Sequence, residues 1–394
     1  MNALLAVVYW LSLVAVIYPY LGYPLTLWLA TRVRGAYRPP APSADFVPSV
    51  TVMISAYNEA AVLEAKLDNT LAIDYPRELF TVVVVSDASD DGTDEIVQRR
   101  AALDPRVSLY RQEERRGKTA GLNRGIEFAH GEVVVFSDAN AMYETNAIRE
   151  LVAPLVDPAI GYVVGAAHYS DSEDGESQAS EGLYWRYELA LKELESGFGS
   201  VVGGDGAIYA IRRELFWPLR EDDINDFVNP LQIIAAGKRG VFNPRARAYE
   251  ESADSFAKEF RRKRRIVNRS WRAVLRYGGA VRKANNPAFV FQLTAHKILR
   301  WFAMPLLVLL GLTNVPLAAA PGGRFYELSL FGLLASVVLA LKARRDLAVA
   351  AQPHKLAYLF YYFYLVNIAA VLGIWDESRG IRHSKWDHVR SSGT

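Results

Sequence analysis

Long stretches without a charged residue lie at both ends of the chain. Residues 3–30, 301–323 and 356–375 are three such stretches. Each reaches the roughly 18–20 apolar residues that a helix needs to cross a bilayer, so we expect three spans. Residues 328–341 form a fourth apolar run, whose length suits either a short span or an interfacial segment. The pattern therefore leaves three and four spans open.

The segment between these ends has a different pattern, in which short apolar runs alternate with helix-like stretches. No window between Arg32 and Arg300 is apolar enough to span a membrane. Runs rich in Val, Ile, Phe and Thr predict buried parallel strands at residues 47–55, 79–86 and 132–137. Helices are predicted at residues 59–71, 93–103, 119–129 and 146–156. This alternation predicts an α/β domain with a wound parallel sheet and crossover helices.

Charge and composition narrow the classes of function. Lys and Arg number 45 and Asp and Glu 43, a near balance that gives no basis for nucleic-acid binding through bulk charge. The chain has no cysteine, which excludes disulfides, iron–sulfur clusters, thiolate zinc sites and cysteine nucleophiles. Arg32, Arg34 and Arg38 follow the first apolar run, so the positive-inside rule predicts that the α/β domain is cytosolic.

Polar residues follow each of the three predicted strands, at residues 56–59, 87–93 and 137–140. Wound sheets bind ligands beyond the carboxyl ends of their strands, so we expect a site where these segments meet. Asp87 can accept hydrogen bonds from a base or a ribose, and Asp138 suits a hard cation such as Mg²⁺ or Mn²⁺. Turn formation and helix capping are the alternative for both residues. One carboxylate is a poor cage, so a metal would also need phosphate oxygens.

A lysine next to a glycine, Lys118 after Gly117, lies between these strands and can approach phosphates closely. The spacing of a P-loop is absent from this region. The Gly-x-Gly-x-x-Gly fingerprint of dinucleotide-binding folds is absent as well, which argues against a nucleotide-dependent dehydrogenase.

Several short motifs occur in a specific order, although none of them is strong alone. They are Ser55-Ala56-Tyr57-Asn58-Glu59, residues 86–93, Gly117-Lys118 with Asn123, residues 136–140, Gly203-Gly204-Asp205-Gly206 and Asn225-Asp226-Phe227. In this order they resemble the motifs of family 2 glycosyltransferases. Over roughly residues 48–275 the chain is similar to membrane-embedded members, such as the bacterial exopolysaccharide, cellulose and hyaluronan synthases. The resemblance implies a cytosolic domain of GT-A fold, which is Rossmann-like, flanked by transmembrane helices.

The resemblance also implies roles for individual residues. The nucleotide-sugar donor would be bound by Ala56, Tyr57, Asn58, Glu59, Asp87, Ser89, Lys118, Asn123 and Asp138. A divalent cation, Mg²⁺ or Mn²⁺, would be held by Asp138 and by Asn140, which stands where a second Asp is usual. The acceptor would be bound by Gly204, Asp205, Gly206 and Trp271.

Catalysis in this family needs a base, because the acceptor hydroxyl loses a proton as it attacks the anomeric carbon. Asp226 matches the family's general base, and the single displacement would invert that carbon. Asp222 and Asp223 are neighbouring alternatives. A solvated acidic loop is the alternative to any catalytic role.

Residues 258–272 form a basic segment with eight Lys or Arg and one acid, Glu259. One interpretation is an amphipathic helix on the anionic leaflet with its arginines pointing outward. In the other, Arg265 or Arg269 reaches the diphosphate. Polymerising members carry Gln-x-x-Arg-Trp here, whereas this chain lacks that Gln and has Ser270 between Arg269 and Trp271. The departure argues against processive polymerisation and favours a single addition to a polyprenyl carrier.

These features predict five regions: a transmembrane helix at 1–34, a GT-A domain at 45–255, basic interface helices at 256–300, transmembrane helices at 301–376 and a basic tail at 377–394. The predicted protein is an inverting glycosyltransferase of the bacterial inner membrane. It would move a sugar from a UDP-linked donor to a growing polysaccharide or a lipid-linked glycan. Its partners would be the donor, the acceptor, membrane lipid and polysaccharide export subunits. A non-enzymatic sugar-nucleotide sensor is the remaining alternative.

Overall fold

An eight-stranded sheet forms the centre of the domain between the two apolar ends. The computed structural model describes residues 2–170, 176–251, 256–349 and 353–382. The strands in these residues are β1 Val50–Ala56, β2 Phe80–Ser86, β3 Val107–Arg111, β4 Val133–Asp138, β5 Met142–Tyr143, β6 Ile160–Ser170, β7 Tyr209–Arg212 and β8 Arg239–Glu251. Their order across the sheet is β3-β2-β1-β4-β7-β6-β8-β5.

The first four strands confirm the predicted wound sheet. β1 pairs in parallel with β2 and β4, and β2 pairs in parallel with β3. Every residue of β1 is buried, because packed layers cover both faces of the sheet. Val52 and Ile54 enter one hydrophobic core, whereas Met53 between them enters the core on the opposite face. The carboxyl ends of β1, β2 and β4 therefore meet at one edge, where the sequence predicts the site.

The second half of the sheet was not predicted from the sequence. β7 is antiparallel to both β4 and β6, β6 is parallel to β8, and β5 is antiparallel to β8. β5 has only two residues. β8 alternates apolar residues with Arg239, Asn243, Arg245 and Arg247, so it lacks the continuous apolar run of a buried parallel strand.

The helices surround this sheet and form the apolar segments that precede and follow it in the chain. They are α1 Asn2–Ile17, α2 Tyr23–Arg34, α3 Ala60–Leu71, α4 Thr93–Leu103, α5 Lys118–Gly125, α6 Ala147–Val152, α7 Glu176–Phe198, α8 Asn225–Ala235, α9 Phe256–Lys283, α10 Pro287–Leu293, α11 Leu299–Trp301, α12 Ala303–Ala318, α13 Arg324–Ala348 and α14 Lys355–Ser378. The four predicted helices correspond to α3, α4, α5 and α6. The last two of these continue into short 3₁₀ turns.

Three helical stretches among the described residues are long and apolar enough to cross a membrane: Ala3–Arg34, Arg324–Ala348 and Lys355–Ser378. Pro287–Trp301 and Ala303–Ala318 qualify only as a pair, which is bent by 64°. The pair would be a broken span or a re-entrant loop. The predicted span at residues 301–323 therefore corresponds to the second helix of this bent pair, Ala303–Ala318, and the residues that follow it. The run at residues 328–341 was predicted to be either a short span or an interfacial segment. It lies inside Arg324–Ala348, a helix of 25 residues that extends into the charged residues on both sides of the run.

Polar contacts join the first apolar stretch to α7. A π-helical turn at Tyr18–Gly22 separates α1 from α2, and it contains Pro19, a residue type that commonly kinks helices. The hydroxyl of Tyr187 donates to the carbonyl of Tyr20 at 2.9 Å. The hydroxyl of Tyr23 donates to Glu195 Oε1 at 2.7 Å, where both side chains are buried. The break in the first helix is therefore fixed to the sheet domain.

Ion pairs join the last apolar helix to α9. Arg264 binds Asp376 through two hydrogen bonds of 2.6 Å, and Arg272 binds Glu377. Both acids lie near the carboxyl end of α14. The predicted basic tail at 377–394 begins here, and its residues 383–394 lie outside the described residues.

Gly240 tests the packing of the sheet. A Cβ atom at Gly240 would lie 1.8 Å from the Cζ atom of Tyr162, whose buried hydroxyl is bound to the carbonyl of Val201. The ring therefore has no room to move.

We expect Gly240→Ala to destabilise the domain by about 1–3 kcal/mol through overpacking. Gly278→Ala is the control, because a Cβ there meets nothing within 4 Å and alanine favours the helix. Thermal unfolding in detergent, followed by intrinsic fluorescence, should give a lower Tm for Gly240→Ala alone. Equal Tm values would contradict the packing argument.

Candidate active site

The loops after β1 and β2 are held together by reciprocal hydrogen bonds. The amide of Asn58 donates to Asp90 Oδ1 at 2.7 Å, and the backbone N–H of Asp90 donates to Asn58 Oδ1 at 3.0 Å. The backbone N–H of Ala60 donates to Asp91, and that of Glu59 donates to Thr93. Asn58 and Ala88 both have positive φ angles, 52° and 57°. Two predicted strand-end segments therefore form one rigid edge of the site.

Ser89 lies inside this edge. Its hydroxyl accepts a hydrogen bond from the backbone N–H of Asn58 at 3.1 Å and contacts the hydroxyl of Ser86 at 3.0 Å. The side chain is buried. Ser89 therefore joins the two loops.

Asp87 fixes a third segment, the loop after β3. Its Oδ1 accepts hydrogen bonds from the amide of Gln112 at 2.6 Å and from the backbone N–H groups of Arg116 and Gly117, both at 2.9 Å. The side chain is buried. The guanidinium of Arg115, in the same loop, lies 3.9 Å from the centroid of the Tyr57 ring. Asp87 thereby holds this loop against the edge that carries Tyr57.

Lys118, Asp138 and Asp226 meet at Gly206, although they are far apart in the chain. The Nζ of Lys118 donates to Asp138 Oδ1 at 2.5 Å, and both side chains are partly exposed. A Cβ atom at Gly206 would lie 3.2 Å from Asp138 Oδ2, 3.6 Å from Asp226 Oδ2 and 3.9 Å from Lys118 Nζ. A side chain at residue 206 would therefore fill the space that the three groups share.

Asp226 lies in the first turn of α8. Among the described residues its Oδ1 is buried and has no hydrogen-bond partner. Burial raises the pKa of Asp226, and the neighbouring charges of Asp205 and Asp138 raise it further, whereas Lys118 and Arg269 act in the opposite direction. A carboxylate with an unsatisfied oxygen and a raised pKa is suited to accept a proton.

Asp222 and Asp223, the two alternative candidates for the general base, form ion pairs with arginines of α9. Asp222 pairs with Arg272 at 3.0 Å, and Asp223 pairs with Arg276 at 2.5 Å. Both aspartates are buried. Of the three acids, only Asp226 faces the space beside Gly206 that Asp138 and Lys118 share.

The predicted acceptor segment lies beside these residues. Asp205 pairs with Lys192 of α7 at 2.8 Å, and the backbone N–H of Gly204 donates to the carbonyl of Asp226 at 2.5 Å. Glu250, at the end of β8, faces the same group of charges. Burial raises the pKa of Glu250 to about 8, and the charges of Asp138 and Asp205 act in the same direction. Lys192 and Glu250 were not found from the sequence, because α7 and β8 were not predicted.

The basic helix differs from the expectation of outward-facing arginines. The side chains of Arg269 and Arg272 are buried, so that expectation is wrong for both. The guanidinium of Arg269 donates to the carbonyls of Glu221, Asp222 and Asp223, and burial lowers its pKa to about 10. Arg269 therefore clamps the loop before Asp226. Arg265 lies close enough to Arg269 for the two charges to repel.

Two other predicted site residues make structural contacts. The amide of Asn123 is bound to both backbone groups of Leu219, with distances of 2.5 and 2.8 Å. The ring of Trp271 packs edge-to-face against Trp301 and Phe302. Asn123 therefore holds the chain before the acidic loop, and Trp271 belongs to an aromatic group between α9 and the bent helix pair.

The oxygen atoms at the end of β4 suit a hard divalent cation. Asp138 offers a carboxylate, Asn140 an amide oxygen, and Asp226 an unpartnered buried oxygen nearby. Among the described residues there is no group of three or more His, Asp or Glu placed to hold a metal ion. The donor set thus fits Mg²⁺ or Mn²⁺ in kind, and a ligand such as a diphosphate would have to complete it.

Comparisons with known proteins match the sheet domain to glycosyltransferases. The model of the family "Glycosyl transferase family 2" matches residues 51–220. Glycosyltransferase AglD of Haloferax volcanii is 36% identical over 122 residues, which are 30% of this chain and 20% of that protein. Poly-beta-1,6-N-acetyl-D-glucosamine synthase of Staphylococcus aureus is 28% identical over 124 residues, which are 31% of this chain and 29% of the synthase. The matched segments therefore span less than a third of either relative.

A solved structure is similar over nearly the whole chain. The mannosyltransferase PcManGT of Pyrobaculum calidifontis, in complex with GDP-Man and Mn²⁺, is 26% identical. Its TM-score is 0.68, and the match covers 94% of this chain and 99% of that one. Residues 51–220 of this chain therefore form a glycosyl transferase family 2 domain, within a structure that has the GT-A fold.

Proposed function

We propose that this protein is an inverting glycosyltransferase that uses a nucleoside-diphosphate sugar and works at the cytosolic face of a membrane. Its acceptor would be a growing polysaccharide or a lipid-linked glycan. The observation that carries the proposal is the convergence of Lys118, Asp138 and Asp226 at Gly206, beside the loops that Asp87 holds together. The apolar helices at both ends of the domain support the membrane location.

The nucleotide would bind against the edge formed by residues 56–59 and 87–93. Tyr57 would stack on the base, and Asp87 holds the loop that carries Arg115 against this edge. Lys118 would leave Asp138 and approach the diphosphate, because both side chains are partly exposed and their bond can exchange with a ligand. The sequence resemblance implies a UDP-linked donor, whereas the similar mannosyltransferase was solved with GDP-Man. Both nucleotides therefore belong in any donor panel.

Asp138 and Asn140 would hold Mg²⁺ or Mn²⁺ together with the diphosphate. Bound there, the cation supplies a Lewis acid for the charge that develops on the leaving diphosphate. The Mn²⁺ in the similar mannosyltransferase supports a cation of this class. Asn140 is neutral, so we expect weaker cation binding than at a site with two aspartates.

Asp226 would act as the general base. The acceptor hydroxyl would attack the anomeric carbon as its proton passes to the carboxylate, and the bond to the diphosphate would break on the opposite side. Charge on the departing group would be balanced by Lys118. The acceptor would lie along residues 204–206, where backbone without bulky side chains can approach a sugar.

Asp226→Asn provides the first test. General-base removal typically costs a factor of about 10²–10⁴ in rate, so transfer should fall by that much while donor affinity stays within about twofold. The measurement is nucleotide release and transfer by purified protein in detergent, with UDP-, GDP- and dTDP-sugars and Mg²⁺ or Mn²⁺. Asp45→Asn, at an exposed residue, is the control. Full turnover by Asp226→Asn would refute the assigned base. Donor binding without turnover by either protein would favour a sensor.

The pH dependence of the reaction provides a second test. The base must be ionised, so kcat/KM should rise with pH as Asp226 loses its proton. Burial and the charges of Asp205 and Asp138 raise the pKa of Asp226. We therefore expect the acid limb of the pH profile of kcat/KM to lie above about pH 4, where an ordinary aspartate titrates. Asp205→Asn should move that limb to lower pH, since it removes one of the charges that raise this pKa. An acid limb that stays in place would contradict the electrostatic argument.

Single addition is favoured over processive synthesis by one observation. Arg269 is bound to backbone carbonyls and Trp271 is packed against Trp301 and Phe302, so both side chains already have protein partners and would not hold a growing polymer. With lipid-phosphate and oligosaccharide acceptors, we expect products extended by one residue. Gel or mass analysis of product length measures this directly. A ladder of long chains would instead support a polysaccharide synthase, with export subunits as partners.

A further inference from the structure

Lys66 occupies a position where an apolar residue is expected. On α3, Leu63, Lys66, Leu67 and Thr70 form the buried face that packs beneath the sheet. The whole of Lys66 is inaccessible to solvent. Burying an ammonium group costs free energy unless nearby groups compensate its charge. Groups that do so are therefore expected around Lys66.

The ammonium of Lys66 lies under the turn that follows β4. Its Nζ donates to the carbonyl of Ala141 and lies 4.0 Å from the centroid of the Tyr143 ring. Burial lowers the pKa of Lys66 to about 7, whereas the charges of Glu250 and Asp138 favour the ammonium form. The compensating groups are therefore the turn and the carboxylates of the active site.

A second residue of α3 binds the same segment. The amide of Asn69 donates to the carbonyl of Tyr143 at 2.9 Å and accepts from its backbone N–H at 2.7 Å. The hydroxyl of Tyr143 in turn donates to the carbonyl of Ala207 at 3.0 Å. Ala207 follows Gly206, beside which Asp138, Asp226 and Lys118 meet. Contacts from α3 thus reach both the turn after β4 and the segment at residues 204–207.

We propose that Lys66 is a positioning residue for sugar transfer: through Ala141 it fixes the turn at residues 138–141, so that Asp138 and Asn140 face the donor diphosphate and its cation. The assignment rests on the function proposed above. Lys66 and Lys118 then have different tasks. Lys118 is partly exposed and can exchange Asp138 for a phosphate, whereas the fully buried Lys66 stays in place throughout the cycle.

The experiment compares Lys66→Met and Lys66→Gln with wild type. Methionine keeps the volume but loses the charge and the hydrogen bond, whereas glutamine keeps a donor without the charge. Thr70→Val is the matched control, because it removes another buried hydrogen bond of α3, from Thr70 Oγ1 to the carbonyl of Lys66, without touching the turn.

The first measurement is hydrogen–deuterium exchange of the peptide that contains residues 138–143, on full-length protein without nucleotide. Loss of a hydrogen bond from a charged donor should speed exchange there by at least about tenfold in Lys66→Met. Lys66→Gln should fall between Lys66→Met and wild type, and Thr70→Val should match wild type in this peptide. If Lys66→Met does not fold, the comparison of exchange rates between Lys66→Gln and Thr70→Val decides. Unchanged exchange at the turn, or an equal change in Thr70→Val, would overturn the proposal.

The second measurement is Mn²⁺ binding, followed by electron paramagnetic resonance with UDP and with GDP present. In Lys66→Met we expect Mn²⁺ affinity to fall by about tenfold, and KM for the donor to rise more than kcat falls. Nucleotide affinity without cation should change less than about twofold, since Asp87 and Tyr57 are untouched. Equal Mn²⁺ affinity in wild type and Lys66→Met would overturn the role. If wild type binds neither nucleotide, the proposed function fails, whereas the exchange measurement still decides whether Lys66 holds the turn.

Discussion

Mutual repulsion among closely placed acids is the constraint on which the candidate active site depends. Asp138, Asp205, Asp226 and Glu250 face one another near the carboxyl end of β4, and the charges of Asp138 and Asp205 raise the pKa of both Asp226 and Glu250. The fold balances them with lysines from three helices. Lys118 on α5 pairs with Asp138, Lys192 on α7 pairs with Asp205, and Lys66 on α3 lies beneath the turn. In the proposed function, a donor diphosphate with its cation would enter a site in which lysines already offset part of the acidic charge.

The basic helix α9 solves a second problem, which is how to hold the loop that precedes Asp226. Arg269 binds its carbonyls, while Arg272 and Arg276 pair with Asp222 and Asp223. These arginines are expensive to bury alone, and each is satisfied by an acid or a backbone oxygen. The result is a rigid acidic loop, and the Oδ1 of Asp226 after it has no hydrogen-bond partner within the part of the chain that the structure describes. The arginines therefore affect Asp226 indirectly, by fixing the loop that precedes it.

Much of the fold and part of the site could be predicted from the sequence. The strands that carry Asp87 and Asp138 are continuous apolar runs, and runs of this kind identify buried parallel strands. Lys66, Lys192 and Glu250 could not be found in this way. A lysine or a glutamate in a polar helix or strand has the same local pattern whether it faces solvent or another charge. Only the pairing of β6 with β8, and the packing of α3 and α7, bring these residues to the site.

Arg272 contacts two parts of the molecule at once: Asp222 in the acidic loop, and Glu377 at the end of α14. If α14 lies in a bilayer, its tilt depends on the thickness of the hydrocarbon layer. A change of tilt would then pull on the same guanidinium that holds the acidic loop. The lipid composition of the membrane would therefore influence the geometry of proton transfer. It would act through the side chain of Arg272, without any lipid entering the active site.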